Sequence, residues 1–565
     1  MDKTLFNTRT GHAPVADTKN LAGGKAYSRD PREALAQLAV TGCFGDTYYA
    51  SAHEQLDEIK VVLALCSPDF VAKCAIYARE RANMKDMPAF LLAHLTARCG
   101  AEAVAQAIAF PALRAFHAAF PRVIDNGTML RKFVQVVRSG AVGRKSFGTS
   151  VRNRIRTWLL AQSDWRLFKD SVGDQPSLAD VIKMVRPNPV RGSSRWALHE
   201  YILGKKLTEE HNLVLPRSVL EYECFKQLQL QGKAEVLAVP DVDFRMLDSL
   251  KLSDAQWKEV FRRAPWSMTR QNLLTAERHG VLKDPEMVNI IAERLRSPTL
   301  VRKSRDFPYT LLSAFIAARD AGLPNAITNA LQDAMEIATE KVPVFGAGTV
   351  ICVDVSGSMQ MAPVTGGRGK PTKVRCVEAA ALIAATLVRK NPDALLLPFS
   401  DRLNLEYKVN SRDSVMTIAQ QICALPSGGT DCSLPLWHLN GRNARHWAAV
   451  GIRQIVMISD NESWSQPAKF ASYGTHEFYR RQGTPLAEAW AETKKRNRDA
   501  KLICIDLQPA ITTQVKTASD QLNVGGFTDD VWRVVQSFIE RGSTSWVDEI
   551  ERIDLHALDA PAHEA

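Results

Sequence analysis

Asp354-Val355-Ser356-Gly357-Ser358-Met359 places one carboxylate and two hydroxyls on alternate positions directly after the apolar run Thr349-Val350-Ile351-Cys352-Val353. Side chains at every second residue converge on one point if the loop curls, and Gly357 permits the curl. Ser427-Gly428-Gly429-Thr430-Asp431-Cys432 adds Thr430 and Asp431, and Ile458-Ser459-Asp460-Asn461-Glu462-Ser463 adds Asp460. Asp354, Ser356, Ser358, Thr430 and Asp460 are all hard oxygen donors, with no imidazole or thiolate among them. Such a set suits Mg²⁺ first, with Ca²⁺ or Mn²⁺ as alternatives, and not zinc. The rival reading is that these groups only cap helices. Hydrolysis is not expected. A metal hydrolase needs a base beside its substrate, and the nearby candidates are only Glu462 and Asp431. No His or Lys is placed to activate Ser356 or Ser358 as nucleophiles, so the chain is expected not to be an enzyme.

A second chemical signal is charge. The chain carries net +11. Residues 1–340 hold 47 Lys+Arg against 37 Asp+Glu, net +10, whereas residues 341–565 hold 25 against 24, net +1. Residues 131–195 alone hold 14 basic and 4 acidic residues, also net +10. A local surplus of that kind is the footprint of a polyanion partner, unless it is a solvated face compensated in three dimensions. Lys145, Arg152 and Arg156 are spaced for one helix face, with Gly148 as a potential break. Arg138, Arg144, Arg154, Lys183, Arg186, Arg191 and Arg195 lie on neighbouring turns. Arg pairs with phosphate bidentately and stacks on bases. Trp158, Trp165, Trp196 and Phe147 are interleaved, and their helical spacing favours a core role. Without a recognisable base-reading motif, nucleic acid would be bound by its backbone, shape, single strands or ends.

The elements that must position these groups fall into two kinds. Over residues 1–340, apolar residues recur at helical spacing: Leu56/Ile59/Leu63, Met87/Phe90/Leu91/Leu95, Met129/Leu130/Phe133/Val136/Val137, Val151/Ile155/Trp158/Leu159 and Leu178/Val181/Ile182/Val185. Breakers intervene at Ser67-Pro68, Cys99-Gly100, Phe120-Pro121, Asp125-Asn126-Gly127, Ser139-Gly140 and Arg186-Pro187, with Ser67 and Ser177 placed as N-caps. No strand-like alternation is visible there. Short helices joined by short turns predict a solenoid of helix pairs. From about residue 343 the pattern changes. Apolar strands at 349–353, 394–399, 455–458 and 502–505 alternate with helices at 376–387, 414–425 and 485–495, which predicts a parallel, doubly wound α/β sheet. Loops after the C-terminal ends of such strands line the ligand crevice, which is where the oxygen donors fall.

The length of 565 residues requires at least two domains. The expected division is an N-terminal arm 1–20, a helical domain 21–342, an α/β domain 343–546 and a tail 547–565 that frays. No stretch approaches the ~20 apolar residues that span a bilayer, and Met1-Asp2-Lys3-Thr4-Leu5-Phe6 opens no export signal. The ten scattered Cys, Cys43 to Cys504, are expected to be reduced thiols of a cytoplasmic protein.

The ordered set Asp354/Ser356/Ser358, Thr430 and Asp460 resembles the metal-ion-dependent adhesion site of von Willebrand factor A (vWA) domains, over about 200 residues. That resemblance implies direct cation ligation by Ser356, Ser358 and Thr430, carboxylates Asp354 and Asp460 acting mostly through water, and one place open for a partner's carboxylate. A helical solenoid followed by a vWA domain is similar to the Ro autoantigen (TROVE) family, in its bacterial form. Gly45-Asp46-Thr47-Tyr48-Tyr49 resembles that family's early G-x-TYY element, and Tyr77-Ala78-Arg79-Glu80-Arg81 through Phe90-Leu91-Leu92-Ala93 its next helix pair. Gly429-Thr430-Asp431-Cys432-Ser433-Leu434-Pro435, Asp460-Asn461-Glu462-Ser463 and Gly526-Phe527-Thr528-Asp529 resemble its later loops. The resemblance implies HEAT-like helix pairs closed into a ring with a positive channel, joined to a Rossmann-like vWA domain. It implies Y RNA-like small RNA on the outer basic surface, single-stranded 3′ ends of misfolded RNA in the hole, a monomeric protein without membrane contact, and tethering of polynucleotide phosphorylase or RNA-repair proteins. One departure is Met184, where Ro proteins carry a His that contributes to Y RNA binding. The competing functional class is a cation-dependent protein–protein adaptor that needs no RNA; a metal-dependent nuclease stands third.

Overall fold

The structure is a computed structural model and describes residues 13–42, 44–98, 106–173, 175–233, 238–304, 308–365, 371–441, 451–464, 482–526, 529–541 and 545–556. Up to residue 341 it is built almost wholly of helices. Pro68–Glu80 packs on Asp86–Arg98 and Gln106–Val123, and further along Pro285–Arg296 packs on Asn325–Ala338. Ser67 and Ser177 cap helices as their positions predict. Ser67 accepts from the Phe70 amide, and Ser177 forms a capping box with Asp180. Asn126 caps Gly127–Ser139, and Gly140 ends that helix in the left-handed conformation at φ 80°.

One expected breaker fails. Gln106–Val123 runs through Pro111 and Pro121, so Phe120-Pro121 does not end it. Pro121 has no N–H for the carbonyl four residues back, that of His117. That carbonyl accepts instead from Arg154 Nη2 at 3.1 Å, which relieves part of the helix defect from outside. Cys99-Gly100 lies outside the described residues, as do Cys43 and Phe527-Thr528.

The C-terminal half is a five-stranded, all-parallel sheet. In chain order its strands are β3 (Thr349–Asp354), β6 (Leu395–Phe399), β7 (Gln454–Ser459), β8 (Lys501–Asp506) and β10 (Gln521–Gly525). They are ordered β10-β8-β7-β3-β6 and pair in continuous register, Ile351 opposite Leu396 and Val456. β10 lies beyond the four strands expected from sequence. Its polar Asn523 interrupts the apolar run and is buried by bonds to Val515 O and Thr517 Oγ1. Cys376–Lys390 covers one face and Leu434–Asn440 with Pro485–Arg496 the other.

The chain ends cross between these halves. β1 (Thr18–Lys19) and β2 (Lys25–Ser28) form a small antiparallel sheet with β9 (Thr512–Thr513), Tyr27 opposite Thr513. Strands of two and four residues are too short for alternation to register in the sequence. At the other end, Trp546–Glu551 is a helix with a Ser545/Asp548 capping box, and Ile550 is fully buried. It packs on Pro31–Thr41 and Pro68–Glu80, and Lys73 bonds Glu551 at 2.8 Å. The segment after Val547 therefore does not fray where fraying was expected. Residues 557–565 lie outside the described part.

Arg29, just after β2, locks the crossing. Its guanidinium bonds Asp506 Oδ2 at 2.9 Å and the Thr512 carbonyl at 3.1 Å, with side chains only 1% and 3% exposed. Burial pushes Asp506 up to about 7 despite the adjacent Arg29. Removing one partner of a buried pair strands the other charge, at about 3–5 kcal/mol. Arg29→Met should therefore lower unfolding free energy by about that amount at pH 8, measured with urea. The loss should shrink at pH 5, because the stranded Asp506 is then protonated. Adding Asp506→Asn should recover most of it.

Candidate cation site and basic face

Asp354 ends β3 with its side chain fully buried. Its Oδ1 accepts from the Ser356 amide at 2.8 Å and its Oδ2 from the Ser459 hydroxyl at 2.7 Å. The Ser356 and Ser358 hydroxyls are 3.2 Å apart, so the loop curls as Gly357 permits. Three loops are stitched together at this edge. The Gly357 amide donates to Gly428 O (2.9 Å), the Asp431 amide to Ser400 O (3.1 Å) and the Trp464 amide to Thr430 O (3.2 Å). Gly428 must be Gly, since a Cβ there would lie 2.3 Å from Asp401 Oδ1. Thr430 and Asp460 are buried, and Asn461 turns the chain beyond Asp460 at φ 65°, a conformation Asn tolerates.

The five oxygen-bearing residues predicted from sequence thus sit on one buried edge, on loops bonded to one another. Asp460 Oδ1 accepts from the Glu462 amide at 3.2 Å, but its buried Oδ2 has no hydrogen-bond partner. Burial raises the pKa of both Asp354 and Asp460, and the charge of Asp460 raises Asp354 further. Glu462 is pushed up to about 8, again chiefly by burial. Among the described residues no group of three His, Cys, Asp or Glu gathers as a metal cluster. A cation at this edge would therefore depend on the hydroxyls. Two unneutralised carboxylates, three hydroxyls and an orphaned oxygen fit a hard divalent ion and offer zinc nothing soft. Asp431 is not free for it: both its contacts are N-cap bonds to Ser433, at 3.0 and 2.6 Å.

Sequence reasoning missed four neighbours. Ser459 orients Asp354 and had a usable signal, because it immediately precedes Asp460 at the strand end. Glu462 Oε2 accepts from the Ala22 amide at 3.0 Å, and Asn20 Nδ2 donates to Ser463 O at 2.9 Å. Tyr49 faces Ser358, Asp460 and Glu462, and burial first, then Asp460, raises its phenol. Contacts across more than 300 residues leave no local sequence mark.

The ten predicted cations divide by surroundings. Thr149–Ala161 begins after Gly148, its N-cap, so Lys145 stands in the preceding loop and not on the helix face with Arg152 and Arg156. Arg138 donates to Lys145 O (3.3 Å), Arg144 to Thr96 O and Ser146 O (both 2.6 Å), and Arg156 to Val185 O, beside Arg186. Arg154 lies about 200° round the helix from Arg152 and stacks over Phe120 at 5.8 Å. Two of the ten meet carboxylates. Arg195 bonds Asp164 at 2.7 Å, and exposed Arg191 lies 3.9 Å from Glu210. The other eight make no ion pair among the described residues, although Asp180 lies within Coulomb reach of Lys183. Of the interleaved aromatics, Trp158 is buried with its Nε1 on Ile124 O, Trp196 stacks on His211 at 4.1 Å, and Trp165 is 41% exposed.

Residues 349–539 match the family model of the Ro60 vWA domain. The chain is 25% identical to the RNA-binding protein RO60 of Deinococcus radiodurans over 491 residues, covering 82% of this chain and 86% of that one. The chain belongs to the Ro family. It also shares the fold of the crystal structure of the Deinococcus radiodurans RO (RSR) protein. The TM-score is 0.56 at 20% identity, over 91% of this chain and 100% of that one. In this Ro-family chain Met184 packs partly buried against the core, so a thioether stands where a polar contact was expected in relatives. No helix among the described residues is long and apolar enough to cross a membrane.

The buried carboxyls make stability pH-dependent with a definite sign. Their folded pKa values lie above the unfolded ones, so each is neutral in the folded state at low pH and must be ionised, at a cost, as pH rises. Without a divalent cation the thermal midpoint should fall between about pH 5 and pH 8. Mg²⁺ should restore it at pH 8 and do little at pH 5. Asp354→Ala should erase that Mg²⁺ dependence. Scanning calorimetry at the two pH values, with and without Mg²⁺, measures both.

Proposed function

We propose that this protein is a non-enzymatic RNA-binding scaffold of noncoding-RNA quality control. The observation that carries the reading is the basic face of residues 131–195, where eight of ten predicted cations lack an ion pair and four are held by carbonyls. A guanidinium bonded to a carbonyl keeps its full charge, while its geometry is fixed in advance for phosphate. The name of the Deinococcus relative, an RNA-binding protein, supports the same reading. In detail, the helix pairs close into a ring, the outer basic face holds small structured RNA of the Y RNA kind, and single-stranded 3′ ends of misfolded RNA enter the hole. The vWA site holds Mg²⁺, and the complex tethers an exoribonuclease such as polynucleotide phosphorylase.

Arg152, Lys183 and Arg186 are exposed cations of that face that make no ion pair among the described residues, and they are the residues to change. The triple Glu variant should bind a structured small RNA at least about 100-fold more weakly at 150 mM salt. Its log–log salt slope should shrink by about 0.7–0.9 per lost phosphate contact. Its unfolding free energy should stay within about 1 kcal/mol of wild type, as exposed substitutions do. Filter binding across a salt series measures the first two. Unchanged affinity would refute the site. A wild-type preparation that binds no RNA would turn the assignment toward the cation-dependent adaptor.

A further inference from the structure

We propose that the cation site is closed from within by Tyr49 of the helical half, whose hydroxyl covers the coordination place that an outside carboxylate would otherwise take. The proposal rests on the reading of Asp354, Ser356, Ser358, Thr430 and Asp460 as a cation site, and concerns what occupies that site's open side.

Three observations support it. Tyr49 faces Ser358, Asp460 and Glu462 at once, which are a hydroxyl of the donor set, the carboxylate with the orphaned Oδ2, and its neighbour. A phenol is a neutral oxygen donor that can complete the sphere of a hard ion or hold one of its waters. Next, the turn that presents Tyr49 is built and not loose. Thr47 and Ala50 close it, with the Thr47 amide donating to Ala50 O at 2.8 Å. Buried Gln55 then pins it from below, its Nε2 bonding Gly45 O (3.1 Å), Thr47 Oγ1 (3.1 Å) and Ala50 O (3.3 Å). Tyr48, at the turn's other central position, packs edge-on against Tyr49 at 4.8 Å and is itself half exposed. Finally, the adjoining loop is covered by the same half of the chain. Asn20 and Ala22 bond Ser463 and Glu462, and a Cβ on Gly24 would lie 2.1 Å from Ser463 O. The site is thus held in place by residues 20–49 and is not presented as a bare docking place. An acidic partner gains access only when the 47–50 turn moves away. Cation occupancy and domain contact are then linked, each strengthening the other by the same factor.

The test uses the full chain with Mn²⁺ as probe, measuring its affinity and the water-proton relaxation enhancement per bound ion, which reports fast-exchanging inner-sphere water. Tyr49→Phe removes only the hydroxyl. Gln55→Ala releases the turn while touching neither Tyr49 nor a ligand. Both variants should bind Mn²⁺ within about threefold of wild type and show an enhancement about 1.5-fold higher, as one coordination place opens to water. Tight Mn²⁺ binding with the same enhancement in all three proteins would overturn the closure by Tyr49 and leave the cation site intact. A wild type that binds Mn²⁺ no better than Asp354→Ala would overturn the cation site and the closure with it.

Discussion

Negative charge buried at one sheet edge is the constraint around which this structure is arranged. Asp354, Asp460, Glu462 and Asp506 all end or follow strands β3, β7 and β8, and all are almost entirely removed from water. Arg29 neutralises only Asp506. A carboxylate in that setting either takes up a proton or finds a positive charge. The surrounding hydrogen bonds answer part of the demand, since Ser356, Ser459, Glu462 and Ala22 each donate to one of these acids. They leave Asp460 Oδ2 and Glu462 Oε1 unanswered. A core built only for stability would place apolar side chains there. The retained acids, beside converging hydroxyls, are the mark of an edge shaped to hold a cation.

The basic face solves the opposite problem. Cations on a helical surface are commonly spent on nearby carboxylates, and elsewhere in this chain they are: Arg79 on Asp125, Arg122 on Glu80, Arg302 on Glu340. Over residues 131–195 the partners are mainly helix-terminal and loop carbonyls. The carbonyl left free by Pro121 and the last carbonyl of Leu178–Val185 are two of them. These contacts satisfy orphaned acceptors, which favours the fold, and leave the net field undiminished, which favours a polyanion. One set of side chains thereby serves both ends.

How much of this could be read in the sequence follows from distance along the chain. The oxygen donors were legible because strand, curl and donor lie within ten residues of each other, and hydrophobic runs announce the strands. Helices were legible where apolar spacing and a capping Ser or Asn coincide, as at Ser177 and Asn126. Lys145 was misplaced by one residue's effect, Gly148 starting the helix after it. Pro121 read as a stop because the residue that relieves it, Arg154, is 33 positions away. β2 was invisible, four residues whose partner β9 is nearly 500 positions on. Tyr49 carried a signal as part of a family-like motif, but nothing in it pointed to Ser358.

The same long-range contacts decide where the domains are divided. A boundary near residue 343 separates helical from α/β sequence, yet β2 completes a sheet with β9, and Arg29 neutralises Asp506 from across it. A fragment starting at 343 would expose the edge of β9, strand Asp506 without its countercharge and free Glu462 from the Ala22 amide. The C-terminal helix Trp546–Glu551 makes the reciprocal crossing, burying Ile550 against Pro31–Thr41 and Pro68–Glu80. Each half thus supplies what the other half's core lacks. The acidic edge and the basic face therefore belong to one cooperative unit, and whatever loads the first changes the rigidity with which the helical half, beginning at residues 20–49, is held.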